Sequence, residues 1–195
     1  MKVIPHPPPV APLVARAGTP LKETLPTSVE EIYEDNFDFV WRNARRLGVP
    51  ASSADDVVQD VFIVVQRRLR DFRGGSVRAW ILGILVRVVS DHRRAHRRKT
   101  GRWVPLEAEK MVDPRNPDEL AERAERAQLL ERLLHQLDEN KRVLPVLADL
   151  EQWTLQEIAD YFGSNINTIY SRLRAARRDF ERAYLRAVGK PGDKP

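Results

Sequence analysis

At 195 residues, with a net charge of +5 and a sequence pI near 9.7, the chain has room for one ordinary domain or two small ones and favours a polyanionic partner. Having no cysteine, it has no disulfide, thiolate nucleophile or cysteine zinc site. Its longest apolar run, residues 79–89, is interrupted by Arg87 and is too short for the ~20 residues of a membrane span. With no secretory leader pattern at the start either, the expectation is a cytoplasmic protein without membrane insertion. The charge is unevenly placed: residues 30–60 carry eight acids against three arginines, residues 87–102 seven bases against Asp91, and a further basic run spans 172–190. The chain therefore has one acidic face and two basic ones.

Residues 1–26 hold seven of the fourteen prolines and little apolar periodicity, which predicts a disordered tail. Ser28 and Glu31 have capping-box spacing, and Ile32, Tyr33, Phe37, Val40, Trp41, Ala44 and Leu47 then recur at helical intervals until Gly48-Val49-Pro50 stops the helix. Ser52 or Ser53 should cap a second helix, with Ala54, Val57, Val58, Val61, Phe62, Val65, Leu69 and Phe72 as its stripe. Arg73-Gly74-Gly75 breaks the chain, and Ser76 opens a third helix that is apolar nearly all round to Val89 and so belongs in the middle of its domain. Its far end is a charged rod, residues 93–99.

Residues 100–117 read as a linker, with Asn116 and Pro117 opening the next helix. Leu120, Ala124, Ala127, Leu130, Leu134 and Leu137 follow at helical spacing. In the short helix after it, Pro145 removes a backbone donor, which predicts a kink or a late start. Thr154 caps a helix containing Leu155, Ile158, Ala159 and Phe162, and Gly163 ends it. Asn165 caps a longer helix with an inward stripe of Ile166, Ile169, Leu173, Ala176 and Phe180 and an outward face of Asn167, Thr168, Tyr170, Ser171, Arg174 and Arg178. A helical hairpin with a solvated polar face fits this pattern. The cluster of hydroxyls, amides and arginines fits a helix-turn-helix better, its first turns meeting base edges and its later arginines meeting phosphates. The fold class is all-α: two small helical bundles joined by a flexible linker, the C-terminal one containing the helix-turn-helix.

Across residues 28–186 the chain resembles the extracytoplasmic-function sigma factors, the minimal two-domain class of the sigma-70 family. The stretches that carry the resemblance are Ala54-Asp55-Asp56-Val57-Val58-Gln59-Asp60-Val61-Phe62, Phe72-Arg73-Gly74, Arg78-Ala79-Trp80-Ile81 and Asp91-His92-Arg93-Arg94 in the first half. In the second they are Asp149-Leu150-Glu151-Gln152-Trp153-Thr154-Leu155-Gln156-Glu157-Ile158-Ala159 and Thr168-Ile169-Tyr170-Ser171-Arg172-Leu173. The resemblance implies a tail at 1–26, sigma region 2 at 27–99, a linker at 100–117, sigma region 4 at 118–187 and a tail at 188–195. It implies that Asp55, Asp56, Gln59 and Asp60 dock on a coiled coil of the largest polymerase subunit, whereas the residues alone also allow Asp55 and Asp56 to serve as helix-start carboxylates. It places Phe72, Arg73, Arg87, Arg93, Arg94, Arg97 and Arg98 on the minus-ten element, and Asn167, Thr168, Tyr170, Ser171, Arg172, Arg174 and Arg178 on the minus-thirty-five element. Trp80 invites a base-stacking role, but in an apolar helix a place in the core is the stronger expectation.

Arg87 stands where many members have asparagine, Ser164 replaces an aliphatic, and Tyr170 and Ala175 replace basic residues, so the upstream preference should differ from those members. The implied partners are core RNA polymerase (its largest-subunit coiled coil and its flap), promoter DNA and an anti-sigma factor. No cofactor, metal or catalytic residue is implied. His92 and His96 have ligand spacing but lie among arginines that repel a cation. A helix-turn-helix regulator acting without core polymerase is the alternative, and it leaves the acidic second helix unexplained.

Overall fold

A computed structural model describes residues 28–72, 74–100 and 117–188, without the side chains of 96–100 and 117–121. The tail 1–26, the linker interior 101–116 with Asn116, Arg73, the side chains of Arg97 and Arg98, and residues 189–195 lie outside the described residues. All the regular structure among the described residues is helical.

Helix α1 (Val29–Arg46) begins where the Ser28 hydroxyl accepts from the Glu31 N–H at 3.2 Å, and it ends at Gly48, whose φ of +95° is left-handed. Helix α2 (Ala51–Arg68) starts earlier than the serines predict: Pro50 occupies its cap position with no side-chain bond, so neither Ser52 nor Ser53 caps it. A 3-10 turn, Leu69–Asp71, carries the chain out, leaving Phe72 in extended backbone instead of on the helix stripe. Ser76 then accepts from the Ala79 N–H at 3.3 Å and opens α3 (Val77–Thr100). Trp80, Ile81, Leu82, Ile84, Leu85, Val86 and Val89 of α3 are buried between α1 and α2. Each fully buried aliphatic side chain there is worth about 1.5–3 kcal/mol against exposure. Trp80 is thus a core residue, its ring 5.3 Å from that of Phe72.

The second bundle is α4 (Pro117–His135), α5 (Glu139–Pro145), α6 (Leu155–Phe162) and α7 (Ile166–Val188). Asp138 caps α5 through the Asn140 N–H. The irregularity predicted at Pro145 takes a definite form: after the proline the chain widens into a π turn, Val146–Leu150, closed by the Glu151 N–H on the Val146 carbonyl at 3.0 Å. Proline supplies no N–H to the α-helical ladder, so the shift to a wider pitch falls where one bond is already missing.

The two bundles are packed together. Their buried residues form one contiguous apolar cluster running from Ile32 to Leu173, and polar contacts among the described residues tie them. Tyr161 donates its hydroxyl to the Gly83 carbonyl at 2.8 Å. The Arg142 guanidinium donates to the Leu47 carbonyl at 3.2 Å, and His135 Nε2 lies 3.0 Å from the Arg45 carbonyl. Arg45 is ion-paired to Glu131, and Arg46 to Glu151 at 3.0 Å.

Candidate nucleic-acid interface

The second bundle presents α7 through a well-defined turn. Thr154 and Glu157 form a reciprocal capping box: the Thr154 hydroxyl accepts from the Glu157 N–H at 3.2 Å, and the Thr154 N–H donates to the Glu157 carboxylate at 2.7 Å. Gly163, with φ +56° and ψ +40°, is the left-handed residue that lets the chain reverse within a few residues. Asn165 then caps α7, its Oδ1 accepting from the Asn167 N–H at 2.8 Å.

Ile169, Leu173 and Ala176 are buried against the bundle and Phe180 is half-buried, whereas Ile166, predicted to face inward, is 39% exposed. With α7 beginning at Ile166, that side chain hangs at the open edge of the turn, beyond the packed stripe. Asn167, Tyr170, Ser171, Arg172, Arg174 and Arg178 are exposed, and Thr168 is half-buried. Tyr170, Arg174, Arg177 and Arg178 border a groove of about 470 Å³ floored by Trp153 and Leu155. Their charges are not equivalent. Arg177 is committed to Asp149 through two bonds, at 2.5 and 3.2 Å, while no ion pair holds Arg172, Arg174 or Arg178 among the described residues.

In the first bundle Asp55, Asp56, Gln59 and Asp60 are exposed on α2. Because α2 begins at Ala51, its first turn contains no acid and Asp55 and Asp56 lie beyond it. The attraction of a helix N-terminus for carboxylates fades within that turn, so capping does not account for them. Asp55 has a different partner, absent from the sequence reading: it accepts from the Trp41 indole N–H at 3.2 Å, which fixes the carboxylate at the edge of the α1–α2 surface. Tyr33, Phe37, Phe62 and Ile63 line an adjoining groove of about 780 Å³, rimmed by Glu30, Glu34 and Asp55.

The loop before α3 holds Gly74 and Gly75 at φ +91° and +92°, and a Cβ on Gly74 would meet nothing within 4 Å. Backbone is thus openly presented beside Phe72. Of the arginines on α3, Arg87 and Arg94 are partly exposed, Arg94 lying 3.8 Å from Asp91. Arg93 departs from expectation. It is 8% exposed and turned toward Gly48 and Arg142, so in this arrangement its guanidinium faces the other bundle and is not presented to a nucleic-acid strand.

The residues that the sequence did not reveal cluster where the bundles meet. Burial holds His135 down to about 4, with Arg142, Arg45 and Arg93 adding to the shift and the Arg45 carbonyl opposing it. Burial also lowers Arg142 to about 10 and raises Glu131, the latter opposed by Arg45 and Arg46. Tyr161 is pushed well above the ordinary phenol range by burial. The only sequence signal for these groups is that a Tyr and a His sit on otherwise apolar stripes.

Two family models match the chain, sigma-70 region 2 over residues 32–99 and sigma-70 region 4 over residues 127–180. The chain belongs to the sigma-70 family. Within it, the extracytoplasmic-function class is shown by the sigma-E factor of Escherichia coli, 30% identical over 138 residues, which are 66% of this chain and 72% of that protein. The sigma factor NccH of Alcaligenes xylosoxydans is 31% identical over 69% of this chain and 74% of its own length. The sigma factor SigE of Mycolicibacterium smegmatis is 28% identical over 81% of this chain, which spans 62% of that protein. Among solved structures, CnrH in complex with the cytosolic domain of CnrY aligns over 82% of this chain and 88% of its own, with a TM-score of 0.53 and 25% identity. RpoE of Bartonella quintana, in complex with the anti-sigma factor NepR, aligns over 79% of this chain and 97% of its own, with a TM-score of 0.61 and 20% identity. The protein is therefore an RNA polymerase sigma factor, and the alternative of a regulator acting without polymerase is not favoured. No helix among the described residues of this sigma factor is long and apolar enough to cross a membrane.

Proposed function

We propose that this sigma factor works in the cytoplasm as a non-catalytic initiation factor, with region 2 at residues 27–99 and region 4 at 118–187, bridging core polymerase and promoter DNA. The observation that carries this reading is the pairing of two surfaces on one chain of the family. The exposed carboxylates of α2 lie past the reach of the helix end, and α7 presents Ser171, Arg172, Arg174 and Arg178 to solvent with no ion pair among the described residues. Asp55, Asp56, Gln59 and Asp60 meet the coiled coil of the largest subunit, and region 4 meets the flap. Phe72, Arg73, Arg87, Arg94, Arg97 and Arg98 handle the minus-ten strand, joined by Arg93 once its surroundings release it.

On the upstream element, Ser171 and Arg174 are three apart on one side of α7. Arg174 has the reach for a bidentate contact to guanine, worth about 1–3 kcal/mol of discrimination. Asn167, Thr168 and Tyr170 lie beside them at the start of the helix. Arg172 and Arg178 suit phosphates, which add affinity without sequence information. The neighbouring RpoE structure holds the anti-sigma factor NepR, and CnrH holds the cytosolic domain of CnrY, which supports an anti-sigma factor as a further partner here.

Run-off transcription with core polymerase over a pool of promoter fragments tests the reading. The full chain should direct transcripts from a sequence-defined subset. The double substitution Asp56→Arg with Gln59→Ala should weaken core binding at least tenfold while leaving the helical circular dichroism unchanged. Unaltered affinity for core enzyme in that variant overturns the α2 assignment.

A further inference from the structure

The four residues assigned to polymerase docking are not held alike. Among the described residues no hydrogen bond or ion pair engages Asp56, Gln59 or Asp60, so no contact on the chain selects their rotamers. Asp55 is exposed too, yet its Oδ1 accepts from the Trp41 indole N–H at 3.2 Å. That bond runs from the C-terminal part of α1 to the N-terminal part of α2.

Trp41 is well placed to act as a fixed donor. It is half-buried, and the Arg45 guanidinium stands 6.0 Å from its ring centroid, at the reach of a cation–π contact. Arg45 in turn is buried and donates to the Val49 carbonyl at 2.8 Å, in the turn that joins the two helices. The indole thus rests on a side chain anchored to backbone, and it gives its N–H to a docking carboxylate.

Such a bond does little for the stability of the bundle. α1 and α2 already interlock through Val40, Ala44, Ala54, Val57, Val58 and Val61, each at most 1% exposed. One hydrogen bond at a solvent-exposed carboxylate, where water competes for the same site, adds little to that packing. What the bond fixes is direction. An ionised carboxylate has about four acceptor sites. Trp41 takes one of them at Oδ1 and turns the group toward α1, which leaves the others for a donor that approaches from outside. Gln59, one helical turn further on, lines the same groove as Asp55.

We propose that Trp41 is a positioning residue for polymerase docking: its indole N–H holds Asp55 in the orientation in which that carboxylate receives a cationic side chain of core polymerase. The proposal deepens the docking assignment made above and rests on it. A side chain already in its bound rotamer loses less freedom on association, so Trp41 raises affinity without touching the partner.

Trp41→Phe keeps an aromatic ring in place and removes the donor. It should weaken binding of the full chain to core polymerase about two- to fivefold, the size expected for releasing one side chain that binding must immobilise again. Benzothienylalanine at position 41, introduced by nonsense suppression, separates the donor from the shape of the ring. It keeps the bicyclic outline with sulfur in place of the N–H, and it should weaken binding equally. In an Asp55→Ala background neither change at position 41 should have a further effect, because the carboxylate it acts on is gone. The bond also has a spectroscopic signature. Of the four tryptophan indole N–H resonances of the chain, the one that Trp41→Phe removes should be the one that Asp55→Ala displaces.

If Asp55→Ala leaves core affinity unchanged, the docking assignment of Asp55 falls and the positioning role with it. If Asp55→Ala weakens binding while the benzothienylalanine chain matches the wild type, docking stands and the positioning role alone is overturned. Equal losses from the position-41 changes with and without Asp55 would show that Trp41 acts through the packing of α1, which also overturns the proposal. An indole resonance of Trp41 that Asp55→Ala does not move overturns the hydrogen bond itself.

Discussion

His135 sits where four elements of charge meet: Glu131 one turn back on its own helix, Arg45 on α1, Arg93 on α3 and Arg142 on α5. Its Nε2–H donates to the Arg45 carbonyl, an arrangement available to the neutral ring. Burial holds its folded value at about 4, against 6.5 for a free imidazole. The folded state therefore binds fewer protons than the unfolded one between those values. Stability from this residue is complete above pH 6.5 and is lost as the pH falls toward 4. Glu131, raised by burial, has the opposite sign, costing stability as the pH rises above the ordinary carboxylate value of 4.5, so the histidine's share is the part of the slope that a substitution at His135 removes. Between pH 7.5 and 5.5 the histidine should cost about 1 kcal/mol of unfolding free energy, read from urea midpoints at the two pH values. His135→Gln keeps an amide donor and should flatten that slope; an unchanged slope in the variant would place the titration elsewhere. Nothing in the residue itself announced this. A histidine at the end of a leucine-rich helix reads the same in sequence whether it faces water or, as here, a carbonyl 90 positions away.

Helices were the most legible level, and the reasons for success and failure are local. The stop at Gly48, the glycine turn at Gly163 and the caps at Ser28, Ser76, Thr154 and Asn165 all depend on residues within four positions of one another, so the sequence displays them directly. Where a boundary differs from the one the sequence predicts, a second local signal outranks the first. Pro50, with fixed φ and no N–H to satisfy, starts α2 ahead of the two serines. A disturbance at Pro145 is legible in the sequence but its form is not, because whether a broken ladder kinks or widens depends on what packs around it. Val146 and Leu147 are fully buried, which fixes the π turn against the core. The helix-turn-helix depends on the capping box before α6. Thr154→Ala removes both the hydroxyl that accepts from Glu157 and its bond to the Glu157 carboxylate. It should cost about 1 kcal/mol in urea unfolding, and Thr154→Ser should recover most of it. Equal losses in the two variants would mean that the threonine methyl, not the cap, is what matters.

At the scale of the whole molecule, periodicity reveals each bundle but not their contact. The junction bonds join residues 78 to 105 positions apart, and several end on backbone carbonyls that carry no sequence signature. The shared apolar cluster adds side chains that each bundle would in any case use for its own core. Neutral bonds of about 1 kcal/mol and a charged donor worth about 1.5–3 add to the shared apolar cluster, whereas the ion pairs add little net, because parting the bundles returns both charges to water. Coupling through the shared cluster and these bonds should make the two bundles unfold together. Scanning calorimetry of the wild type should give one transition with calorimetric and van't Hoff enthalpies in agreement. Tyr161→Phe removes the donor to Gly83, and Glu131→Gln strips Arg45 of its counter-charge while leaving the surfaces of α2 and α7 untouched. Together they should lower and split the transition, so that the calorimetric enthalpy exceeds the van't Hoff value. A single unsplit transition in the double variant would show that the apolar cluster alone couples the bundles and that the polar contacts are incidental to the coupling.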